Sequence, residues 1–149
     1  MVLSLMSKWL LIPIIVVCVL MAVMLAFYRD MFKDRLELRK TRIEDKFRVI
    51  LDEINDALLD GQGVILQHNE IRTVNMCNDY ILISLWYATG HLTITMVYEY
   101  KGHETFFEKT FGNVRNISEK DQRTIARNYF VPFAQEKMGE HIKKVDQIL

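Results

Sequence analysis

The residues most able to perform chemistry in this chain are four histidines, two cysteines and scattered carboxylates. The histidines are His68, His91, His103 and His141. A helical zinc site needs two histidines four residues apart, and other zinc sites need closely spaced cysteine pairs. Since the sequence has neither pattern, it predicts no metal site and no metal cofactor.

Cys77 is the thiol best placed for nucleophilic catalysis, which requires a neighbouring base to form the thiolate. His68 is the sole candidate base, and the sequence does not establish that its strand adjoins Cys77. A structural thiol beside a turn is the simpler interpretation. The Gly61–Gly63 segment lacks the Lys-Ser/Thr of a phosphate-binding loop and the third glycine of a dinucleotide-binding turn. We therefore predict no catalytic residues and no organic cofactor.

Carboxylates and aromatic side chains are concentrated in residues 80–111. Glu99 and Glu104 flank one predicted hairpin turn, where exposed charges ordinarily keep a sheet soluble. The aromatic rings could stack on bases or line a ligand pocket. Only two basic residues, Lys101 and Lys109, are interleaved with them. The sequence therefore predicts that these rings pack in a core and that the chain has no nucleic-acid partner.

An uncharged run of twenty residues, from Trp9 to Tyr28, dominates the organisation of the chain. As a helix it would be roughly 30 Å long, the thickness of the bilayer hydrocarbon core. Pro13 lies near its start, where a lost backbone hydrogen bond is tolerated, and Trp9 and Tyr28 suit the two interfaces. A cleaved signal peptide would have a shorter apolar region that ends in small residues. We predict a transmembrane helix in residues 9–28 after a short tail (residues 1–8), with the lipid bilayer as a partner.

Basic residues are distributed unequally on the two sides of this run. Lys8 lies on the N-terminal side, whereas the C-terminal side has Arg29, Lys33, Arg35, Arg39, Lys40 and Arg42. Because basic residues near a span favour the cytoplasmic side, the excess predicts an N-out, C-in protein with a cytoplasmic domain; the opposite orientation is the alternative. The same basic residues either attract anionic headgroups or belong to a solvated helix with ion pairs.

A helical stalk is predicted for residues 29–60, because no Gly or Pro stops the membrane helix before Gly61. Apolar residues repeat along the stalk with heptad-like spacing at Leu36, Ile43, Phe47, Ile50 and Ile54. The repeat is compatible with a short coiled coil that dimerises the chain. Alternatively, the helix packs this stripe on its own domain, and the shortness of the repeat favours that second interpretation.

The hydrophobic period changes to two between Val64 and Phe111, which predicts an antiparallel meander of four to five strands. The predicted strands are Val64–Gln67, Glu70–Met76, Tyr80–Tyr87, His91–Tyr100 and Glu104–Phe111. The third strand is so apolar that we expect both of its faces to be covered. After Ser118, a predicted N-cap, the period is helical again, and Pro132 should kink or divide this last helix.

These elements predict an α+β fold. Residues 61–149 are expected to form the sheet and the C-terminal helices that cover it. They pack with the helix in residues 43–60 as one soluble domain. The formal charge of the whole chain is zero, so no global field attracts nucleic acid.

Two functions remain open from the sequence, besides an enzyme with an unrecognised site. The first is a non-enzymatic, single-pass membrane-anchored accessory protein whose domain docks onto a protein partner or a second copy. The alternative is a membrane-tethered ligand-binding module with an aromatic-lined cleft between the sheet and the C-terminal helices.

Overall fold

The structure is a computed structural model that describes residues 2–66 and 71–148, with side chains from residue 12 onward. The helices are α1 (Val2–Lys40), α2 (Ile43–Lys46), α3 (Arg48–Leu58), α4 (Glu119–Thr124) and α5 (Val131–Asp146), with a π-helical segment at Ile125–Phe130. The strands are β1 (Val64–Leu66), β2 (Thr73–Cys77), β3 (Ile81–Ala88), β4 (His91–Tyr100) and β5 (His103–Phe111). The predicted α+β class is confirmed.

The first helix, α1, is long and apolar enough to cross a membrane. Its most apolar window, within Ile12–Lys40, has a mean hydropathy of 2.4, and none of that window is buried against the rest of the chain. Trp9 and Pro13 both lie inside α1, and the helix continues through the proline. By length and composition α1 is therefore a candidate membrane span.

The stalk is not one continuous helix, contrary to the sequence-based prediction. α1 ends at Lys40, and α2 begins at Ile43, although no Gly or Pro lies between them. Asp34 and Leu38 before the break, and Ile43 after it, are all buried in the domain. One straight helix could bury only one stripe of residues. The turn at residues 41–42 changes the direction of the chain, so that the end of α1 and α2 both pack in the same core. Packing in the core therefore accounts for the end of α1 at this point, since no local Gly or Pro specifies it.

All five strands form one antiparallel sheet in the order β1-β2-β3-β4-β5. β4 has the predicted bounds, and the buried residues alternate along it as expected. The prediction that both faces of β3 are covered is wrong, because Trp86 is exposed and Leu82 and Ser84 are only half-buried. The apolar core therefore lies on one side of the sheet, which we call the inner face; the other side is the outer face.

Helix α3 and the C-terminal helices cover the inner face. Ile50 and Ile54 of α3, and Phe130 and Ala134 of the C-terminal helices, belong to the same buried core as the inner-face strand residues. These core residues pack at the interface where the sequence predicted an aromatic-lined cleft. The three open pockets that we describe on this protein lie outside that interface.

Both predicted features of the C-terminal helices are present. Ser118 caps α4, since its Oγ accepts a hydrogen bond from the Asp121 N–H at 3.1 Å. At the expected position, just before Pro132, a π-helical segment ends and α5 begins, and the backbone stays helical through it. Proline lacks an N–H and its ring crowds the carbonyl one turn earlier, so a wider turn accommodates it.

The heptad-like stripe packs on its own domain. Ile43, Phe47, Ile50 and Ile54 are buried in the core, and only Leu36 is substantially exposed, at 43%. This burial corrects the coiled-coil alternative, because a seam through these residues would first have to remove them from the core. Association of the chain through any other surface remains a prediction.

Candidate functional site

A carboxylate is fully buried where α1 meets the domain. Asp34 accepts hydrogen bonds from the Arg115 guanidinium at 2.8 and 3.0 Å. It also accepts one from the Tyr87 hydroxyl at 3.3 Å and one from the Gly90 N–H at 3.2 Å. A buried charge is costly unless it is paired and hydrogen-bonded. Asp34 meets both conditions, so this end of α1 is specifically fixed to the domain.

A second carboxylate, Glu37, lies one turn further along α1 and extends the network. Its Oε2 accepts a hydrogen bond from the Tyr87 hydroxyl at 3.3 Å. Lys46 of α2 pairs with Glu37 and donates to the Arg115 carbonyl oxygen. The Lys46 ammonium also lies 5.1 Å from the centroid of the Tyr87 ring. The network, which we call the junction clamp, consists of Asp34, Glu37, Lys46, Tyr87 and Arg115.

The electrostatics of the junction clamp indicate a structural role. Burial, together with the nearby charges of Asp34 and Glu37, raises the pKa of Tyr87 well above its ordinary value. The hydrogen bond to Asp34 raises the pKa of Arg115 further. Both groups therefore keep their protons at neutral pH, whereas a general acid or base works best with a pKa near the working pH. The clamp joins α1 to the domain through Tyr87 and Arg115, both of which bind Asp34.

The outer face of the sheet carries an apolar row across all five strands. The register places Val64, Cys77, Leu82, Val97 and Phe106 successively opposite one another. With strands about 4.8 Å apart, the row is roughly 20 Å long. Its ends are the most open, since Val64 is 61% and Phe106 60% exposed. The Val64 end adjoins an open pocket of about 480 Å³. We call these five residues the outer row.

The outer face has only negative charge beside this row. Glu99, Glu104 and Glu108 lie on it, and the part of this face that the structure describes has no Lys or Arg. Glu99 and Glu104 are directly opposite each other in the register. Like charges in that position destabilise a strand pair, so Glu99 and Glu104 do not contribute to the stability of the isolated sheet. The face therefore combines an apolar strip with an unbalanced acidic edge.

A third feature is an open pocket beside the C-terminal half of α1. It has a volume of about 340 Å³ and is lined by Tyr28, Met31, Phe32, Arg35 and Arg72. The six basic residues that predict the orientation, Arg29, Lys33, Arg35, Arg39, Lys40 and Arg42, are all exposed in this region. Their exposure leaves them available for lipid headgroups or solvent.

Of the histidines first considered for chemistry, His103 and His141 lie together, and their contact joins a ring nitrogen to a backbone carbonyl. His91 Nδ1 lies 2.9 Å from the Thr89 carbonyl oxygen, and His141 Nε2 lies 3.0 Å from that of His103. Cys77 is on the outer face, and its proposed base, His68, lies outside the described residues. No group of three or more potential metal ligands occurs within residues 2–66 and 71–148.

Comparison of the chain with protein-family models, with curated proteins and with solved structures finds no significant match. The feature that bears on function is therefore the α+β domain joined to the end of a long apolar helix.

Proposed function

We propose that this chain is a single-pass membrane protein whose α+β domain docks onto a protein partner at the membrane surface. The continuity of α1 carries this proposal. One helix is uncovered throughout its apolar window and becomes buried only at Asp34 and Leu38, where its sequence has become charged. A helix of a soluble protein buries its apolar residues against the rest of the chain, whereas α1 leaves its apolar window uncovered. Lipid is the environment that suits the uncovered segment.

The junction clamp would give the domain a defined orientation relative to the bilayer. Asp34 binds Arg115 and the Gly90 N–H, so the β3–β4 turn lies against α1. In contrast, a flexible linker would leave the domain free to rotate. We expect the fixed geometry to present the outer face of the sheet in a constant direction to other proteins of the same membrane.

The chemistry of the outer face specifies the kind of partner. The outer row would bury against an apolar surface, and the glutamates beside it would pair with Lys or Arg on that surface. A second copy docked face to face would bring only acidic charges together, so we propose a different protein with a basic edge. The excess of exposed basic residues after the span supports a cytoplasmic location for the domain and its partner.

Photo-crosslinking in native membranes tests this docking surface. A photoreactive residue at position 106 is expected to give one adduct with a different protein, whereas the same residue at position 129, which is exposed on the helical side, should not. The double substitution Glu104→Lys/Glu108→Lys should reduce the adduct about tenfold, because each reversal replaces an attraction with a repulsion. Thr110→Ser on the same strand serves as the neutral control.

Two results would contradict the docking proposal. One is an adduct whose mass is that of two copies of this chain, which would favour self-association. The other is an adduct whose yield does not respond to the charge reversals. Thermal unfolding of the charge-reversed protein should be unchanged or slightly improved, since Glu104→Lys removes the repulsion with Glu99.

A further inference from the structure

We infer that Arg35 and Arg72 form a binding site for the phosphate of an anionic phospholipid, at the point where α1 leaves the bilayer. This site requires the membrane span that we propose above. Both arginines line the open pocket of about 340 Å³, whose other walls are Tyr28, Met31 and Phe32. The pocket thus combines two positive charges with an apolar and aromatic wall.

Helix geometry and one long-range hydrogen bond assemble the pocket. Tyr28, Met31, Phe32 and Arg35 are spaced by three, four and seven residues, so they share one face of α1. Arg72 precedes β2 and reaches this face because its Nη2 donates a hydrogen bond to the Met31 carbonyl oxygen at 3.1 Å. That bond uses one of the five N–H groups of the guanidinium, which leaves the others free for a ligand.

Arg35 and Arg72 carry positive charge that no described residue neutralises in an ion pair. Within the described part of the chain, no carboxylate forms an ion pair with Arg35 or Arg72, whereas nearby Arg115 pairs with Asp34 and Lys33 lies 3.9 Å from Asp30. Two cations that line one pocket repel each other, and an anion placed between them relieves that repulsion. Guanidinium groups bind phosphate oxygens in pairs of parallel hydrogen bonds, so phosphate fits this arrangement well.

The position of the pocket along α1 selects a lipid as the source of the phosphate. Arg35 is seven residues beyond Tyr28, about 10 Å along the helix axis, and helical side chains lean toward the N-terminus. Its guanidinium would therefore lean back toward the headgroup layer. Tyr28 and Phe32 are 62% and 63% exposed, which leaves their rings free to contact the glycerol and the upper acyl chains.

Lipid selectivity of the reconstituted full chain tests the site. Vesicles of phosphatidylcholine with a trace of spin-labelled phosphatidylglycerol or spin-labelled phosphatidylcholine report the relative affinity of each lipid for the protein. We expect about a tenfold preference for phosphatidylglycerol, reduced to about twofold by Arg35→Gln/Arg72→Gln. The matched control Arg39→Gln/Lys40→Gln removes the same charge from exposed positions of α1 and should keep most of the preference.

Any of the following results of the lipid-selectivity experiment would contradict the phospholipid site. If the pocket variant and the control variant lose the phosphatidylglycerol preference equally, the lipid is attracted diffusely to a basic helix. Full displacement of the labelled lipid by 10 mM inorganic phosphate would assign the pocket to a soluble ligand. Retention of the protein in carbonate-washed vesicles without any lipid preference removes this inference alone, whereas release by carbonate removes the membrane span as well.

A charge-conserving variant separates binding from folding. Arg35→Lys/Arg72→Lys keeps both charges but loses the paired hydrogen bonds of a guanidinium, so we expect an intermediate preference and an unchanged melting temperature. A preference equal to that of the wild type would contradict a site built for two guanidiniums.

Discussion

Replacement of Ile50 by Asp is expected to unfold the soluble domain. Ile50 is fully buried in α3 beneath the sheet. An unpaired carboxylate in that position costs several kcal/mol, and the lost packing of the isoleucine adds about 2–5 kcal/mol. Together these costs approach the whole stability of a small domain, about 5–15 kcal/mol. Urea unfolding of the chain in detergent, followed by near-ultraviolet circular dichroism, measures the loss.

The control for this substitution lies two residues earlier on the same helix. Arg48 is 77% exposed in its side chain, so Arg48→Asp introduces the same carboxylate at the surface and should change the free energy of unfolding by less than about 1 kcal/mol. A folded Ile50→Asp protein that has merely lost a crosslinkable dimer would contradict the packing of α3 on its own domain. It would restore the coiled-coil interpretation of Leu36, Ile43, Phe47, Ile50 and Ile54.

The second large effect is expected from Asp34→Ala in the junction clamp. This change removes the acceptor of Arg115, Tyr87 and the Gly90 N–H, and it leaves a guanidinium without its buried partner. Breaking such a pair costs about 3–5 kcal/mol. Release of the end of α1 should also make the turn at residues 41–42 accessible to proteases. Unfolding by urea and limited proteolysis measure the two consequences independently.

Asp30→Ala is the matched control for the clamp. Asp30 is 48% exposed in its side chain and lies 3.7 Å from the Arg115 guanidinium, so its loss should cost no more than about 1 kcal/mol. Equal effects of the two substitutions would show that Asp34 is not specifically required. Asp34→Asn keeps the shape of the side chain and an acceptor oxygen. We expect its free energy of unfolding to lie between those of Asp34→Ala and the wild type.

Local patterns were sufficient to predict most of the secondary structure. The alternation in β4 predicted its bounds, and the Ser118 cap and the π-helical segment before Pro132 both follow from the chemistry of single residues. The run of apolar residues in β3 was misleading, because periodicity alone does not say how many layers cover a sheet. Part of that run contributes to the outer row, where apolar side chains stay accessible.

The junction clamp and the pocket lined by Arg35 and Arg72 could not be predicted from the sequence. Asp34 was one of several acids in a basic segment, and its partner Arg115 is 81 residues away. Arg35 was recognised as a basic residue near the span, but Arg72 was not, because a hydrogen bond across 41 residues places it there. Such pairs depend on the tertiary fold, and no local spacing indicates them.

Labelling of Cys18 with a water-soluble maleimide in native membranes tests the central claim most directly. Cys18 lies in the middle of the uncovered apolar segment and is exposed on the surface of α1, and Tyr129, which is 54% exposed on the helical side of the domain, is the position for a reference thiol. If α1 spans the bilayer, a Cys77→Ser protein will stay unlabelled until it is denatured in SDS, whereas a Cys18→Ser/Cys77→Ser/Tyr129→Cys protein will react in opened membranes. Labelling of Cys18 in intact membranes at the rate of an exposed thiol in water would contradict the membrane span and the function that depends on it.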